Sequence, residues 1–215
     1  MQLVIGNKRY SSWSMRPWLL LHGFGLAFDE VNVSLNSEGV RERLLAYSGS
    51  AKVPVLLDNE LHLWDSLAIC EYINEIYLAH AAWPKDASTR AIARALTCEM
   101  HSGFTQIRNA MPLDCKLRTN IDVSDDLAVE IDRVDHIWAQ YSAMNADGEI
   151  FLLGQFSILD CFYAPVALRF KSYGVKLSLL AQAYADSLIA HSSVQAWLQA
   201  ADTETEVLTH LKAAT

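Results

Sequence analysis

Long apolar runs and an excess of basic residues are both missing from this sequence. No run approaches the roughly 18 apolar residues of a membrane-spanning helix, and the apolar stretch at residues 18–21 ends at His22. Lysine and arginine number 17 against 25 aspartates and glutamates, which leaves a net charge of −8. A nucleic-acid-binding surface would need clustered cations instead. Because the N-terminus also lacks a secretory signal pattern, we expect a cytoplasmic protein that binds neither membranes nor nucleic acid.

Cysteine, glycine and proline are scarce as well. The four cysteines, Cys70, Cys98, Cys115 and Cys161, lie far apart and form no CxxC or Cys/His spacing. This argues against a redox pair and against a metal site, so we expect buried free thiols. With 9 glycines, 5 prolines and 52% apolar residues, the 215-residue chain has little linker and can form one large or two small domains.

The first 80 or so residues mix strand and helix patterns at short intervals, which is typical of an α/β unit. The patterns predict strands at residues 3–5 and 28–35, helices at 15–24 and 40–47, a hairpin of residues 53–57 and 61–64, and a helix at 67–77. Beyond Pro84, strand patterns nearly vanish. Helices are predicted at residues 89–112, 125–144, 156–170, 182–190 and 193–201. We therefore predict an α/β domain at residues 1–80 and an all-helical domain at residues 87–215.

A serine-rich loop links the first predicted strand to the first helix. It reads Tyr10-Ser11-Ser12-Trp13-Ser14-Met15-Arg16, and Pro17 stands in the first helical turn, where proline is tolerated. Unpaired N–H groups and the positive end of the helix dipole favour an anion at such a helix start. The serines can equally serve as helix caps, which stabilise a helix by about 1 kcal/mol.

Four short motifs occur at separations that resemble one enzyme family. They are the serine-rich loop, Lys52-Val53-Pro54-Val55-Leu56, Asp65-Ser66 at the start of the third helix, and Ser157 and Asp160 with the spacing of a capping box. Together they cover residues 1–170 and resemble the cytosolic glutathione transferases, in a serine-type, zeta- or theta-like bacterial subgroup. The resemblance implies a thioredoxin-like α/β domain followed by an all-α helical bundle, assembled as a homodimer.

The resemblance also implies that glutathione binds at the serine-rich loop, as substrate or cofactor. A serine hydroxyl would donate a hydrogen bond to the glutathione thiolate and so lower the pKa of that thiol. Ser12 and Ser11 are the candidates for this catalytic role. Ser14 is expected to be the helix cap, and Tyr10 is an alternative donor because some members use a tyrosine.

The resemblance to the glutathione transferases also implies which residues bind the substrates. Glutathione would be held by Lys52 at its glycyl carboxylate, by Val53 before a cis Pro54 at its cysteinyl part, and by Asp65 and Ser66 at its γ-glutamyl end. Asp65 and Ser66 would look the same in sequence as ordinary helix caps. The electrophile would lie between the domains near Trp13, His101 and Arg108. Alternatively, His101 is a core histidine and Arg108 is a surface charge paired with Glu99 or Asp114.

We therefore expect a glutathione transferase that joins the glutathione thiolate to a small hydrophobic electrophile, as in detoxification. Two alternatives stay open. One is a non-catalytic glutathione- or ligand-binding protein on the same scaffold. The other is a zeta-like, glutathione-dependent cis-trans isomerase of the maleylacetoacetate type, although Trp13 stands where the zeta class has cysteine.

Overall fold

The computed structural model describes residues 1–36 and 38–208. Its first half contains a four-stranded sheet with three helices, in the order β1 (Gln2–Ile5), α1 (Ser12–Gly23), β2 (Asp29–Asn32), α2 (Val40–Leu45), β3 (Val55–Asp58), β4 (Leu61–Trp64) and α3 (Ser66–Ile76). Each element overlaps its predicted range. The predicted helix at 15–24 begins three residues earlier, so that the serine-rich loop itself forms the helix start.

The sheet has the strand order β2-β1-β3-β4. Strand β1 runs parallel to β2 and antiparallel to β3, and β3 and β4 form the predicted hairpin. Leu3, Val4 and Ile5 are fully buried, as the central position of β1 requires for a continuous apolar strand. The loop that follows β1 contacts the second half of the chain, where the Cys115 N–H donates to the Arg9 carbonyl at 3.1 Å.

The second half is helical apart from one small hairpin. Its elements are α4 (Ala87–Ser102), α5 (Thr105–Ala110), α6 (Asp125–Tyr141), β5 (Ser142–Met144), β6 (Ile150–Leu152), α7 (Ile158–Tyr173), α8 (Leu179–Ala190) and α9 (Ser192–Thr203). The predicted domain boundary at residues 80–87 falls between α3 and α4. The domain division itself stays a prediction, because buried residues of both halves belong to one continuous hydrophobic core.

Two predictions for this half were wrong. The predicted helix at 89–112 breaks into α4 and α5, because Gly103 is extended and Phe104 takes a left-handed backbone with φ of 56°. The predicted helix at 125–144 ends at Tyr141, and its last residues pair with β6 as a hairpin. Three-residue strands are too short to produce a recognisable alternation in the sequence.

Helix α7 forms the centre of the helical half, as predicted, and packs against α1 and α4. Its predicted capping box is present: the Asp160 carboxylate accepts hydrogen bonds at 3.0 Å from the backbone N–H groups of Ser157 and Leu152. The contact between α7 and α1 joins the two halves at the start of α1, beside the serine-rich loop. Any ligand at that helix start therefore also meets the helical half.

The described residues contain no helix that is long and apolar enough to cross a membrane. All four cysteines are free. Cys70, Cys115 and Cys161 are buried as predicted, whereas Cys98 is exposed on α4.

Candidate functional site

A cavity of about 940 Å³ opens between the two halves of the chain. It is lined by Tyr10, Ser11, Ser12, Trp13, Leu35, Leu44, Ser50, Ala51, Lys52, Val53, Pro54, Trp64, Asp65, Ser66, Arg108, Pro112, Leu113 and Arg169. Every site residue predicted from the sequence is on this wall except His101. The start of α1 lies on one side of the cavity, and α5 and α7 contribute the two arginines.

Ser11 is the N-cap of α1. Its hydroxyl oxygen accepts a hydrogen bond from the Ser14 backbone N–H at 3.4 Å and lies 2.7 Å from the Ser14 hydroxyl. Ser14 is fully buried, and its hydroxyl accepts a hydrogen bond from the Gly6 backbone N–H. The expectation that Ser14 caps the helix was therefore wrong: Ser11 is the cap, and Ser14 ties the helix start to the end of β1.

Ser12 has a different partner, supplied by the helical half. The Arg169 guanidinium donates from Nη2 to the Ser12 hydroxyl oxygen at 3.2 Å and from Nε to the Met111 carbonyl at 2.7 Å. Because Arg169 occupies one lone pair of the Ser12 oxygen, the serine proton stays available for a ligand. This pairs a hydroxyl with a buried positive charge at a helix N-terminus.

No sequence pattern pointed to Arg169. It is 5% exposed, and its Nη1 has no hydrogen-bond partner among the described residues. Burial lowers its pKa to about 10, so the group is still cationic at neutral pH. The available signal was a cation in the apolar run of α7, two residues before the exposed Lys171, since buried charges need a partner or a function.

Arg108 also faces the cavity. Its side chain donates to the carbonyl oxygens of Gly103, Met100 and His101, and its guanidinium lies 5.0 Å from the centre of the Trp13 ring. Its Nη1 is buried without a partner among the described residues, and burial lowers its pKa.

The alternative pairing of Arg108 with a surface acid does not form in this structure. Glu99 is bound instead by Arg133, and Asp114 is bound by Arg9, each through two hydrogen bonds of 2.7–2.8 Å. Arg108 is therefore left facing the cavity, held by backbone carbonyl groups.

His101 lies behind the cavity wall. Its Nδ1 is 3.2 Å from Nη1 of the fully buried Arg16, and its Nε2 is 3.2 Å from the Asp65 carboxylate. Because an arginine can only donate, Nδ1 accepts and the Nε2 proton points to Asp65. The same Arg16 nitrogen donates to the Ser66 hydroxyl at 3.2 Å. His101 and Arg16 thus hold the two residues predicted to bind the γ-glutamyl end.

Asp65 is the N-cap of α3 and has a left-handed φ of 75°. The hydrogen bond with His101, together with the Leu67 backbone N–H, lowers the pKa of Asp65 to about 2 against the opposing effect of burial. The carboxylate is consequently ionised across the physiological range and exposed on the cavity wall, where it can meet an ammonium group.

The loop before β3 contributes another part of the cavity wall. The Val53–Pro54 peptide is cis, as predicted, and Lys52, Val53 and Pro54 all line the cavity. Lys52 is exposed, so its ammonium can move toward a carboxylate in the cavity.

Comparison with known proteins assigns the family. Residues 10–76 match the N-terminal domain of glutathione S-transferases, and residues 124–200 match their C-terminal domain. The chain belongs to the glutathione S-transferase family. The predicted fold class, an α/β N-terminal domain followed by a helical C-terminal domain, is confirmed.

The proteins similar to this chain include probable maleylacetoacetate isomerases and glutathione transferases. The chain is 26% identical over 158 residues to a probable maleylacetoacetate isomerase of Caenorhabditis elegans, covering 71% of this chain and 73% of that protein. It is 30% identical over 129 residues to a probable maleylacetoacetate isomerase of Vibrio cholerae, covering 59% of this chain and 60% of that protein. Among solved structures, a Burkholderia glutathione transferase homologue with bound glutathione is 24% identical, has a TM-score of 0.72, and covers 94% of this chain and 98% of its own.

Among the residues described, no group of three or more His, Cys, Asp or Glu side chains could hold a metal ion. The polar side chains of the cavity wall include the hydroxyl groups of Ser11, Ser12 and Ser66 and the guanidinium groups of Arg108 and Arg169.

Proposed function

We propose that this protein is a glutathione-dependent enzyme that stabilises the glutathione thiolate with Ser12 and presents it to a small electrophile. The observation that carries the proposal is the hydrogen bond from Arg169 to the Ser12 hydroxyl at the start of α1. It leaves the serine proton free to be donated to sulfur, in the positive field of the helix N-terminus and a buried guanidinium. Ser11 is occupied as the helix cap and is the second candidate.

Glutathione fits the cavity as an anionic tripeptide with one ammonium group. Asp65 would meet that ammonium, while the Ser66 hydroxyl and the N-terminus of α3 would hold the γ-glutamyl carboxylate. The Val53 backbone would bind the cysteinyl part, and Lys52 would bind the glycyl carboxylate. The bound glutathione in the Burkholderia homologue supports this assignment at the level of the shared fold.

The reaction begins when the thiol loses its proton to solvent and Ser12 donates to the resulting thiolate. The sulfur electron pair then forms a C–S bond with the electrophilic carbon. In a transferase reaction, a leaving group departs with its bonding pair, or the pair moves onto a conjugated carbonyl that later takes up a proton. In an isomerase reaction, the adduct rotates about the former double bond, the C–S bond breaks and glutathione is regenerated.

The two arginines favour an electrophile that carries a carboxylate over a purely hydrophobic one. Arg108 and Arg169 both line the cavity, and Asp65 is the one acid among the described lining residues. The positive charge of these two guanidinium groups beside the cavity would favour a ligand that carries a carboxylate. This observation, together with the names of the two relatives, supports cis-trans isomerisation of an unsaturated acid as the second candidate function.

We further propose a cytoplasmic homodimer. Strand β4 is an edge of the sheet, and apolar residues on β4, α3 and α4 are exposed, with Leu61 at 37%, Ile76 at 55% and Ile92 at 40%. A second copy would cover these residues in the manner expected for the family.

The test is ultraviolet titration of glutathione bound to the wild type, Ser11→Ala and Ser12→Ala. We expect a depressed thiol pKa in the wild type that rises by about one unit or more in Ser12→Ala and changes little in Ser11→Ala. Product analysis with a cis-unsaturated diacid then separates the two reactions, because only isomerisation regenerates glutathione. If glutathione binds but its thiol pKa is unshifted, the thiolate-stabilising role is wrong, and the result supports a non-catalytic binding protein on the same scaffold.

A further inference from the structure

The loop that precedes the catalytic serines is held by the C-terminal segment of the chain. Asn7 accepts hydrogen bonds at its carbonyl from the backbone N–H groups of Tyr10 and Ser11, at 3.1 and 2.8 Å. This closes residues 7–11 into a turn that delivers Ser11 and Ser12 to the start of α1. The backbone N–H groups of Lys8 and Arg9, which lie within this turn, donate no hydrogen bond to another described residue of the turn.

Glu204, the residue that ends α9, takes both of these donors. Its Oε1 accepts from the Lys8 N–H at 2.7 Å and its Oε2 accepts from the Arg9 N–H at 3.0 Å. A carboxylate with one oxygen on each of two successive N–H groups fixes the peptide plane between them. The contact joins residues about 195 positions apart and lies immediately before the serine-rich loop.

Other contacts fix the remaining polar groups of the same turn. The Trp197 indole donates to the Lys8 carbonyl at 2.9 Å, and the Cys115 N–H donates to the Arg9 carbonyl at 3.1 Å. Glu206 accepts from the Asn7 side chain at 2.7 Å. The Lys8 and Arg9 carbonyl groups therefore accept hydrogen bonds from α9 and from the segment after α5. The N–H groups of the same two residues donate to Glu204.

We propose that Glu204 is a positioning residue for the thiolate site: it holds the Lys8–Arg9 peptide so that the turn aims the Ser12 hydroxyl at the glutathione sulfur. This proposal rests on the proposed function. Glu204 itself does not line the cavity, and its negative charge opposes a nearby thiolate. The sign of its effect on the thiol pKa therefore separates positioning from direct electrostatics.

The experiment measures the pKa of bound glutathione and the steady-state constants for an activated aryl chloride in Glu204→Ala. If Glu204 positions the loop, the thiol pKa rises by about one unit, so that kcat below that pKa falls about tenfold. KM for glutathione changes little, because Asp65, Ser66 and Lys52 lie on elements that Glu204 does not touch. If Glu204 acted only through its charge, removing it would lower the thiol pKa instead, and the proposal would be overturned.

Two further variants keep the test decisive. Glu204→Gln retains an oxygen acceptor without the charge, and we expect it to restore part of the wild-type thiol pKa. Glu99→Ala removes a carboxylate that also makes two hydrogen bonds, to Arg133, and should leave the thiol pKa unchanged. A stable Glu204→Ala protein with the wild-type thiol pKa would contradict the positioning role. An unshifted thiol pKa in the wild type itself would contradict the proposed function instead.

Discussion

At the scale of single residues, the candidate site combines a serine hydroxyl with a cation that lies 157 positions away in the sequence. Ser12 alone is a weak hydrogen-bond donor to a thiolate, and the start of α1 contains no acid in its first turn. Arg169 adds a full positive charge one hydrogen bond away from the serine. A charge-assisted chain of this kind is stronger than the serine alone, since each hydrogen bond polarises the next.

We predict that Arg169→Met raises the pKa of the bound glutathione thiol by about one to two units, because it removes the charge while roughly preserving the side-chain volume. Below the wild-type thiol pKa, this corresponds to a roughly ten- to hundredfold loss of rate. Ultraviolet titration of bound glutathione measures the shift directly.

Arg133→Met is the matched control, because Arg133 is an arginine of the same helical half that binds the partly exposed Glu99 and does not line the cavity. It should leave the thiol pKa where it is. An Arg169→Met protein that binds glutathione with the wild-type thiol pKa would show that Arg169 does not stabilise the thiolate through Ser12.

At the scale of elements, the capping box of α7 contains a buried titratable group. The Asp160 carboxyl group accepts hydrogen bonds from the Leu152 and Ser157 backbone and from the Tyr184 hydroxyl, and it is fully buried. Burial raises the pKa of Asp160 to about 7, whereas an aspartate in the unfolded chain titrates near 3.9.

We therefore predict that the contribution of Asp160 to stability is largest below about pH 4 and is lost as the pH rises to about 7. In that window the folded protein binds one proton more than the unfolded chain, so the free energy of unfolding falls by up to about 1.4 kcal/mol per pH unit. Asp160→Asn should abolish this slope and, by turning an amide toward buried donors, cost about 1–3 kcal/mol. Urea unfolding between pH 4 and 8 measures both effects.

Asp86→Asn supplies the comparison, since Asp86 also caps a helix but is exposed. Its hydrogen bonds with Ser88 and Thr89 lower its pKa to about 2, which lies outside the window. The slope between pH 4 and 7 should persist in this variant. If the free energy of unfolding of Asp160→Asn also fell between pH 4 and 7, a different titratable group would be responsible for the pH dependence.

At the scale of the whole molecule, the exposed apolar residues of β4, α3 and α4 are the surface that a second copy would cover. We predict that Ile76→Lys yields a monomer, because a charge buried at an interface without a partner costs several kcal/mol. Light scattering after size-exclusion chromatography gives the mass. Leu179→Lys, at a residue that is 90% exposed on α8, should leave the mass of the wild type unchanged; a monomeric wild type would refute the dimer.

The order of elements in the first half and about half of the cavity wall were predictable from the sequence. The apolar run of β1, the capping residues of α3 and α7, and the short motifs around Ser12, Pro54 and Asp65 are local patterns, and local patterns are set by neighbours a few residues away. The break between α4 and α5 was not predictable, because the apolar periodicity continues across Gly103 although the helical backbone conformation ends there. The small β5–β6 hairpin was missed for the related reason that its strands are only three residues long.

By itself, the sequence determined the α/β half followed by a helical half, the serine-rich start of α1, and the candidate residues for glutathione. Only the tertiary structure decided which serine has a cationic partner, that Ser11 and not Ser14 caps α1, that His101 stands behind Asp65, and that Glu204 holds the loop before the serines. Three of these contacts join residues from about 35 to nearly 200 positions apart, and the capping of α1 depends on which of two buried hydroxyls accepts the Ser14 N–H and which accepts the Gly6 N–H. Such contacts follow from how the helical half packs on α1, and no periodicity or spacing along the chain encodes that packing.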